Sequence, residues 1–242
     1  MAKNNSVNIT AENFIRKLKT HQSATELKKY EKYFPLDKRD GDEFIGVQMG
    51  KIFALAKEFV DMQINEIENL LESPIHEIRI GAVSIMDFQA RGKKTSEDRK
   101  KELYELYIKR HDRINNWDLV DRSAIYVIGS YLIDRPHKIL YKLARSKNPW
   151  ERRTAIVSTA FFIKNGEVDD TFKIAEMLVK DDHEFVNKGT GWMLRYAGDK
   201  DKQKLLSFLD KYATTMPRIL LRNSIEKLDK KKREYYLRTD KV

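Results

Sequence analysis

Apolar residues recur at intervals of three and four along almost the whole chain, while alternating β-branched runs are scarce; the pattern predicts an all-α protein. A first helix is expected over about 10–21, with Thr10 as N-cap and Phe14, Ile15 and Leu18 on its apolar face. A second, over 24–33, stops at Phe34-Pro35, because the residue before a proline avoids helical backbone. After a polar loop at 36–41 comes a helix through Met49, Ile52, Phe53, Ala56 and Val60. From there the helices come in pairs: 64–71 with 76–90, a Ser96-capped helix through His111 with 117–132, 136–144 with the helix opened by Pro149, 171–179 with 184–197, and 200–212 with 217–228. Pro136 and Pro149 suit the first helical turn, where a missing N–H breaks no bond. The closing stretch 229–242 is charged, with Tyr235, Tyr236 and Leu237 able to pack as a terminal cap.

The second members of these pairs align with one another, and near the start of each stands a charged residue: Arg79, Asp121, Arg153, Lys188 and Arg222. These positions lie 42, 32, 35 and 34 residues apart, the period of helix pairs stacked as a solenoid. With no linker to split the chain, one repeat domain is expected over 1–242: less regular helices at 1–61, repeats at 62–228 and the tail at 229–242. Four of the five recurring positions are cationic. If they line a groove for a polyanion, a carboxylate among them repels phosphate unless it faces something positive. Asp121 is therefore the candidate for chemistry.

The overall charge points the same way. Lys and Arg number 47 against 37 for Asp and Glu, a formal net charge of +10, with pI near 9.4. Such an excess favours polyanions through counterion release, and nucleic acid leads the partners. A merely solvated basic surface has the same total, but its lysines have no reason to recur at one structural position. The chain lacks cysteine, which excludes disulfides, thiolate catalysis and cysteine zinc sites. Its five histidines show no metal-ligand spacing, so a structural metal is not expected. GxSxG and Walker motifs are absent, against a conventional hydrolase or nucleotide enzyme. No apolar run reaches the roughly 18 residues that span a bilayer, and the N-terminus lacks the apolar stretch of a signal peptide. The expectation is a cytoplasmic monomer with no membrane contact and no obligate protein partner.

Trp117 and Asp121 are four residues apart, hence on one helical face, and Lys188 and Trp192 repeat that spacing. Trp150 stands just ahead of Arg153. Indoles beside cations suit nucleobases or deoxyribose, although tryptophan at helical spacing is more often core. An Asp at a helix start also complements the dipole, by ~0.3–1 kcal/mol, and pairing of Arg153 with Asp121 is a structural alternative. Gly189 and Gly191 each cost a helix about 1 kcal/mol relative to alanine, which signals tight packing or a ligand against the backbone. The acid pairs Asp169-Asp170 and Asp181-Asp182 read as helix-start caps.

The strings NNWDLVD, NPWERRTAI and GTGWMLR, in this order and at these separations, resemble the AlkD-type DNA alkylation repair glycosylases over about 24–228. The resemblance implies a superhelical solenoid of HEAT-like antiparallel helix pairs with a basic concave face. It implies a glycosylase that excises cationic N3- or N7-alkylated purines from duplex DNA by hydrolysing the N-glycosidic bond, without flipping the base and without a cofactor. Carried over by motif, Asp121, Trp117, Arg153 and Trp192 line the lesion site. Tyr30 in KKYEKYF matches a family tyrosine, with Tyr33 as a competitor. Repeat position adds Arg79, Lys188 and Arg222 as phosphate contacts beside Arg153. Two other readings fit the same charge: a non-catalytic DNA-binding module for bent or branched DNA, and a helical-repeat scaffold for an acidic protein.

Overall fold

The computed structural model describes residues 8–33 and 41–238, the first segment with side chains to residue 30. The expected stop at Phe34-Pro35, the loop at 36–41 apart from Gly41, the side chain of Tyr33 and residues 239–242 of the tail lie outside the described residues. The described chain is all-α, and its one β feature is an isolated parallel bridge between Glu43 and Ile75. It divides into two compact units, Met1–Ser123 and Ala124–Val242. The boundary between the units falls inside the predicted helix 117–132, where no change of composition marks it.

The first unit holds α1 (Ala11–Lys19), α2 (Ala24–Tyr33), α3 (Met49–Glu58), α4 (Ile64–Leu71), α5 (His76–Arg91), α6 (Glu97–Lys109) and most of α7 (Trp117–Ala124). Thr10 caps α1 by accepting from the Asn13 N–H, and Ser96 caps α6 by accepting from Arg99. Helix α5 packs against α3, α4 and α6. It is buried on nearly every side from His76 to Ala90, with Ile78, Ile80, Val83, Ile85 and Met86 among its core residues. A helix so placed has no solvent face, so any charge it carries must find a partner inside.

The second unit begins with the end of α7 and a π-helical segment, Ile125–Ser130, which packs on α9 (Pro149–Lys164). Helix α9 packs on α11 (Glu184–Gly198), and α11 on α13 (Arg218–Ile225), forming one row of second helices. The first helices α8 (Lys138–Leu143), α10 (Asp169–Leu178) and α12 (Lys202–Tyr212) pack beside them, and α14 (Lys230–Arg238) lies on α13. In the inner row Ser158, Thr159, Thr190 and Ser224 are buried, and each hydroxyl donates to a carbonyl three or four residues back. Such self-satisfied small side chains let neighbouring helices close in without orphaned polar groups.

Three expectations change. The short helix starts at Lys138 after His137, not at Pro136. The tail forms α14, in which Tyr236 is buried and donates to Asp210 at 2.7 Å, while Tyr235 is 62% exposed and caps nothing. Asp170 does not cap α10; it takes hydrogen bonds from the Tyr141 hydroxyl and pairs with His137 at 2.6 Å.

The glycines of α11 face protein. A Cβ on Gly191 would stand 2.7 Å from the Leu220 carbonyl oxygen and 2.5 Å from the Asn223 Cβ, so α11 and α13 meet through this position. Gly191→Ala is expected to destabilise the chain by about 1–3 kcal/mol through overpacking. Gly50→Ala on α3, where the new methyl meets nothing within 4 Å, should be neutral or stabilising by up to ~1 kcal/mol. Chemical denaturation of the two variants beside the parent checks both signs.

Candidate functional site

The start of α5 carries His76, Glu77 and Arg79, all buried, and the polypeptide at 41–48 wraps over them. Glu43 pairs its backbone with this start: its N–H donates to the Pro74 carbonyl at 3.0 Å, and its carbonyl accepts from His76 at 2.8 Å. The Glu77 carboxylate accepts from the N–H groups of Ile45, Gly46 and Val47, a nest of backbone donors around an anion. Gly46 takes φ +74°, and a Cβ there would lie 2.3 Å from the Ser23 carbonyl oxygen, so glycine is required at that turn.

Charge is concentrated one layer below. Asp42 bonds His76 Nδ1 at 3.0 Å and Arg79 at 2.5 Å. The other ring nitrogen of His76, Nε2, meets Asp118 at 2.8 Å. Arg79 also donates to the Ser73 and Pro74 carbonyls and to Asn115 Oδ1. Burial opposes charge on the His76 ring, but Asp118 and Asp42 outweigh it and raise its pKa to about 9. Burial likewise favours neutral Asp42, yet the bond from His76 and the Arg79 charge hold its carboxyl below the usual range.

Above this cluster opens a cavity of about 300 Å³. Tyr30, Met49 and Trp117 form its apolar walls, with Glu26, Lys29, Gln48 and Asp118 around them. Tyr30 is fixed by a 2.7 Å hydrogen bond from its hydroxyl to the Val47 carbonyl, and its ring lies 5.6 Å from that of Phe44. Burial and the Glu77 charge push its phenol upward, so it stays a donor. Trp117 opens α7, where the Asn116 and Asp118 side chains accept from the N–H groups of Trp117 and Leu119. The structure therefore brings Tyr30 and Trp117 to one cavity. Asp121 stands one turn farther along α7, half-buried. The adjacent Arg122 lies between the rings of Phe53 and Phe88, at 4.5 and 4.6 Å, and pairs with buried Asp87 at 3.2 Å.

The remaining candidates belong to the second unit. Arg153 is buried on α9, donates to the Phe185 carbonyl, and faces Gly189, where a Cβ would stand 2.9 Å from its Nη1. Lys188 on α11 is partly exposed, pairs with Glu184 at 2.5 Å and lies 4.9 Å over the Phe185 ring. Trp192 is half-buried one turn later, and Arg222 on α13 is exposed. Trp150 forms an aromatic group with His183 and Phe185, at 5.2 and 5.9 Å.

Each recurring charged residue is the fourth or fifth of its helix, as the repeat alignment required. Their environments differ. Arg79, expected as a phosphate contact, is 1% exposed, and its guanidinium bonds Asp42, Asn115 and two carbonyls. Arg153, expected to line an open groove, is instead covered. Asp42, His76, Glu77 and Asp118 went unnoticed in the sequence; the adjoining His-Glu at the start of a predicted core helix was the available signal. Among the described residues no three His, Cys, Asp or Glu side chains are grouped to hold a metal ion, and no helix is long and apolar enough to cross a membrane.

Asp42→Ala removes the buried counter-charge of Arg79 and one of the two that flank His76, and is expected to cost about 3–5 kcal/mol. Arg222→Ala, at an exposed position, should change stability by less than ~0.5 kcal/mol. Urea unfolding of both variants reads the contrast.

Comparison with known proteins gives a family match and a structural likeness. The family described as DNA alkylation repair enzyme matches residues 14–228. A solved structure described as a predicted DNA alkylation repair enzyme from Enterococcus faecalis is similar with a TM-score of 0.67 at 17% identity, over 87% of this chain and 98% of that one. At that identity the likeness shows the fold. No curated protein matches the chain.

Proposed function

The chain belongs to the DNA alkylation repair enzyme family, and from that premise we propose that it is a DNA glycosylase for cationic N3- or N7-alkylated purines in duplex DNA. The observation that carries this reading is the joint placement of Tyr30 and Trp117 on one cavity at the start of α7, one turn before Asp121. That is an aromatic wall beside a carboxylate, within a chain of net charge +10.

Alkylation makes the purine a cation and weakens its bond to the sugar. In the proposed step the C1′–N bond breaks, its electron pair leaves with the base, and the sugar becomes oxocarbenium-like. The Asp121 carboxylate stabilises that positive charge and orients a water; the water oxygen bonds to C1′ and its proton passes to solvent. Trp117, Tyr30 and Trp192 present apolar faces to deoxyribose and backbone, and the base is not extruded into a deep pocket. Burial of Arg153 favours an orienting role held through Phe185 over a free phosphate clamp. Exposed Arg222 and partly exposed Lys188 remain as phosphate contacts.

The decisive assay is base release from methylated duplex DNA. The parent is expected to release 7-methylguanine or 3-methyladenine, and Asp121→Asn to slow release at least about 100-fold while duplex affinity stays within about twofold. Unchanged release by the variant removes Asp121 from the mechanism. Salt-sensitive binding with no release by the parent establishes the non-catalytic DNA-binding reading instead. In the same binding experiment, Arg222→Ala should lower the slope of log affinity against log salt by about 0.9, the value for one phosphate.

A further inference from the structure

His76 touches no solvent, yet it is the junction of everything that shapes the cavity. Its Nδ1 bonds Asp42, in the segment that carries Val47 and through it the Tyr30 hydroxyl. Its Nε2 bonds Asp118, the residue after Trp117. The Phe44 ring lies 4.9 Å from the imidazole and 5.6 Å from Tyr30. A neutral imidazole donates from one nitrogen and turns a lone pair from the other; facing two carboxylates, only the imidazolium satisfies both.

We propose that His76 is a positioning residue: as an imidazolium clamped between Asp42 and Asp118, it sets the spacing of the Tyr30 and Trp117 walls. The functional weight of that spacing rests on the glycosylase reading above, but the clamp itself does not. No other ring or chain of similar size offers two charged donors pointing in opposite directions, so glutamine at this position can hold one side only.

The charged groups around the ring decide which side yields when it loses its proton. Asp42 keeps Arg79 at 2.5 Å and Asn115 at 3.4 Å. Asp118 keeps the Leu119 N–H of its own helix and, among the described residues outside α7, only the more distant charge of Arg79, with no second hydrogen bond to it. Glu77 is engaged with the 45–47 backbone and does not compensate. The link to α7 is therefore the weaker, and Trp117 is the wall that shifts. A pKa of about 9 in the folded chain, against 6.5 for a free histidine, gives the sign: the clamp stabilises fully below about pH 6.5 and is lost as pH rises through about 9.

The experiment uses the full chain with Trp150→Phe and Trp192→Phe, which leaves Trp117 as the one indole reporter. Acrylamide quenching of its emission is followed from pH 7 to 9.8, with circular dichroism at each pH. Quenching should rise severalfold with one inflection near pH 9, and adding His76→Gln should abolish the inflection and raise quenching at every pH. A flat profile with the fold intact, or the same inflection in the glutamine variant, overturns the proposal. Should that variant fail to fold, nitrogen-15 NMR of the reporter chain decides: two protonated ring nitrogens on His76 at pH 7.5 support the clamp, and one neutral tautomer overturns it. No DNA enters these measurements, so they are independent of whether the parent releases bases. On methylated duplex, a folded His76→Gln chain should release base about tenfold more slowly at pH 7.5, and an unchanged rate overturns the functional half of the proposal.

Discussion

A positively charged imidazole between two buried carboxylates is the interaction on which the first unit depends. Transfer of any one of these charges alone into the interior costs several kcal/mol. The arrangement survives because each member has a partner: Asp42 has His76 and Arg79, Asp118 has His76, and Arg79 adds two carbonyls and Asn115. The sequence separations are large, 34 residues from Asp42 to His76 and 42 from His76 to Asp118. These bonds therefore fix how distant segments meet, which apolar packing around α5 does not specify by itself. Specificity of this kind is obtained at the expense of raw stability, since a well-packed apolar replacement is often as stable.

The recurring charged residues show how one position in a repeat takes different work. All five stand in the first turns of their helices, yet Arg79 and Arg153 point into protein while Arg222 meets solvent. The cause lies in what each guanidinium finds nearby. Arg79 finds Asp42, from a segment outside the repeats. Arg153 finds the Phe185 carbonyl and a Cβ-free approach at Gly189. A row of cations in sequence is thus a row in space only where no neighbour neutralises it.

Helix spans were readable from the chain because caps and the three-to-four periodicity are local. Thr10, Ser96 and Pro149 stand where the structure begins α1, α6 and α9, and α2 and α4 match residue for residue. The buried charges were not readable, because His76 and Asp42 carry no signal of each other in the sequence. Nor was the reason for two glycines in α11. Composition showed their cost, and only the approach of Asn223, Leu220 and Arg153 showed that protein, not ligand, fills the space. Of the site, the placing of Trp117 and Asp121 on one face of α7 followed from spacing, whereas the neighbourhood of Tyr30 and Trp117 required the fold at 41–48.

Two carboxylates three residues apart on α7 illustrate how environment divides roles. Asp118 lies 2.8 Å from a protonated imidazole, so from the cavity the pair presents a dipole rather than a negative charge. Its field falls off faster with distance than that of a single ion, and it offers little to a cation forming on a sugar. A second proton acceptor there is also excluded while His76 stays charged. Asp121 stands three residues farther along α7 than Asp118. The buried histidine therefore does two things at once: it holds the aromatic wall, and by occupying Asp118 it withdraws that carboxylate from the chemistry proposed for Asp121.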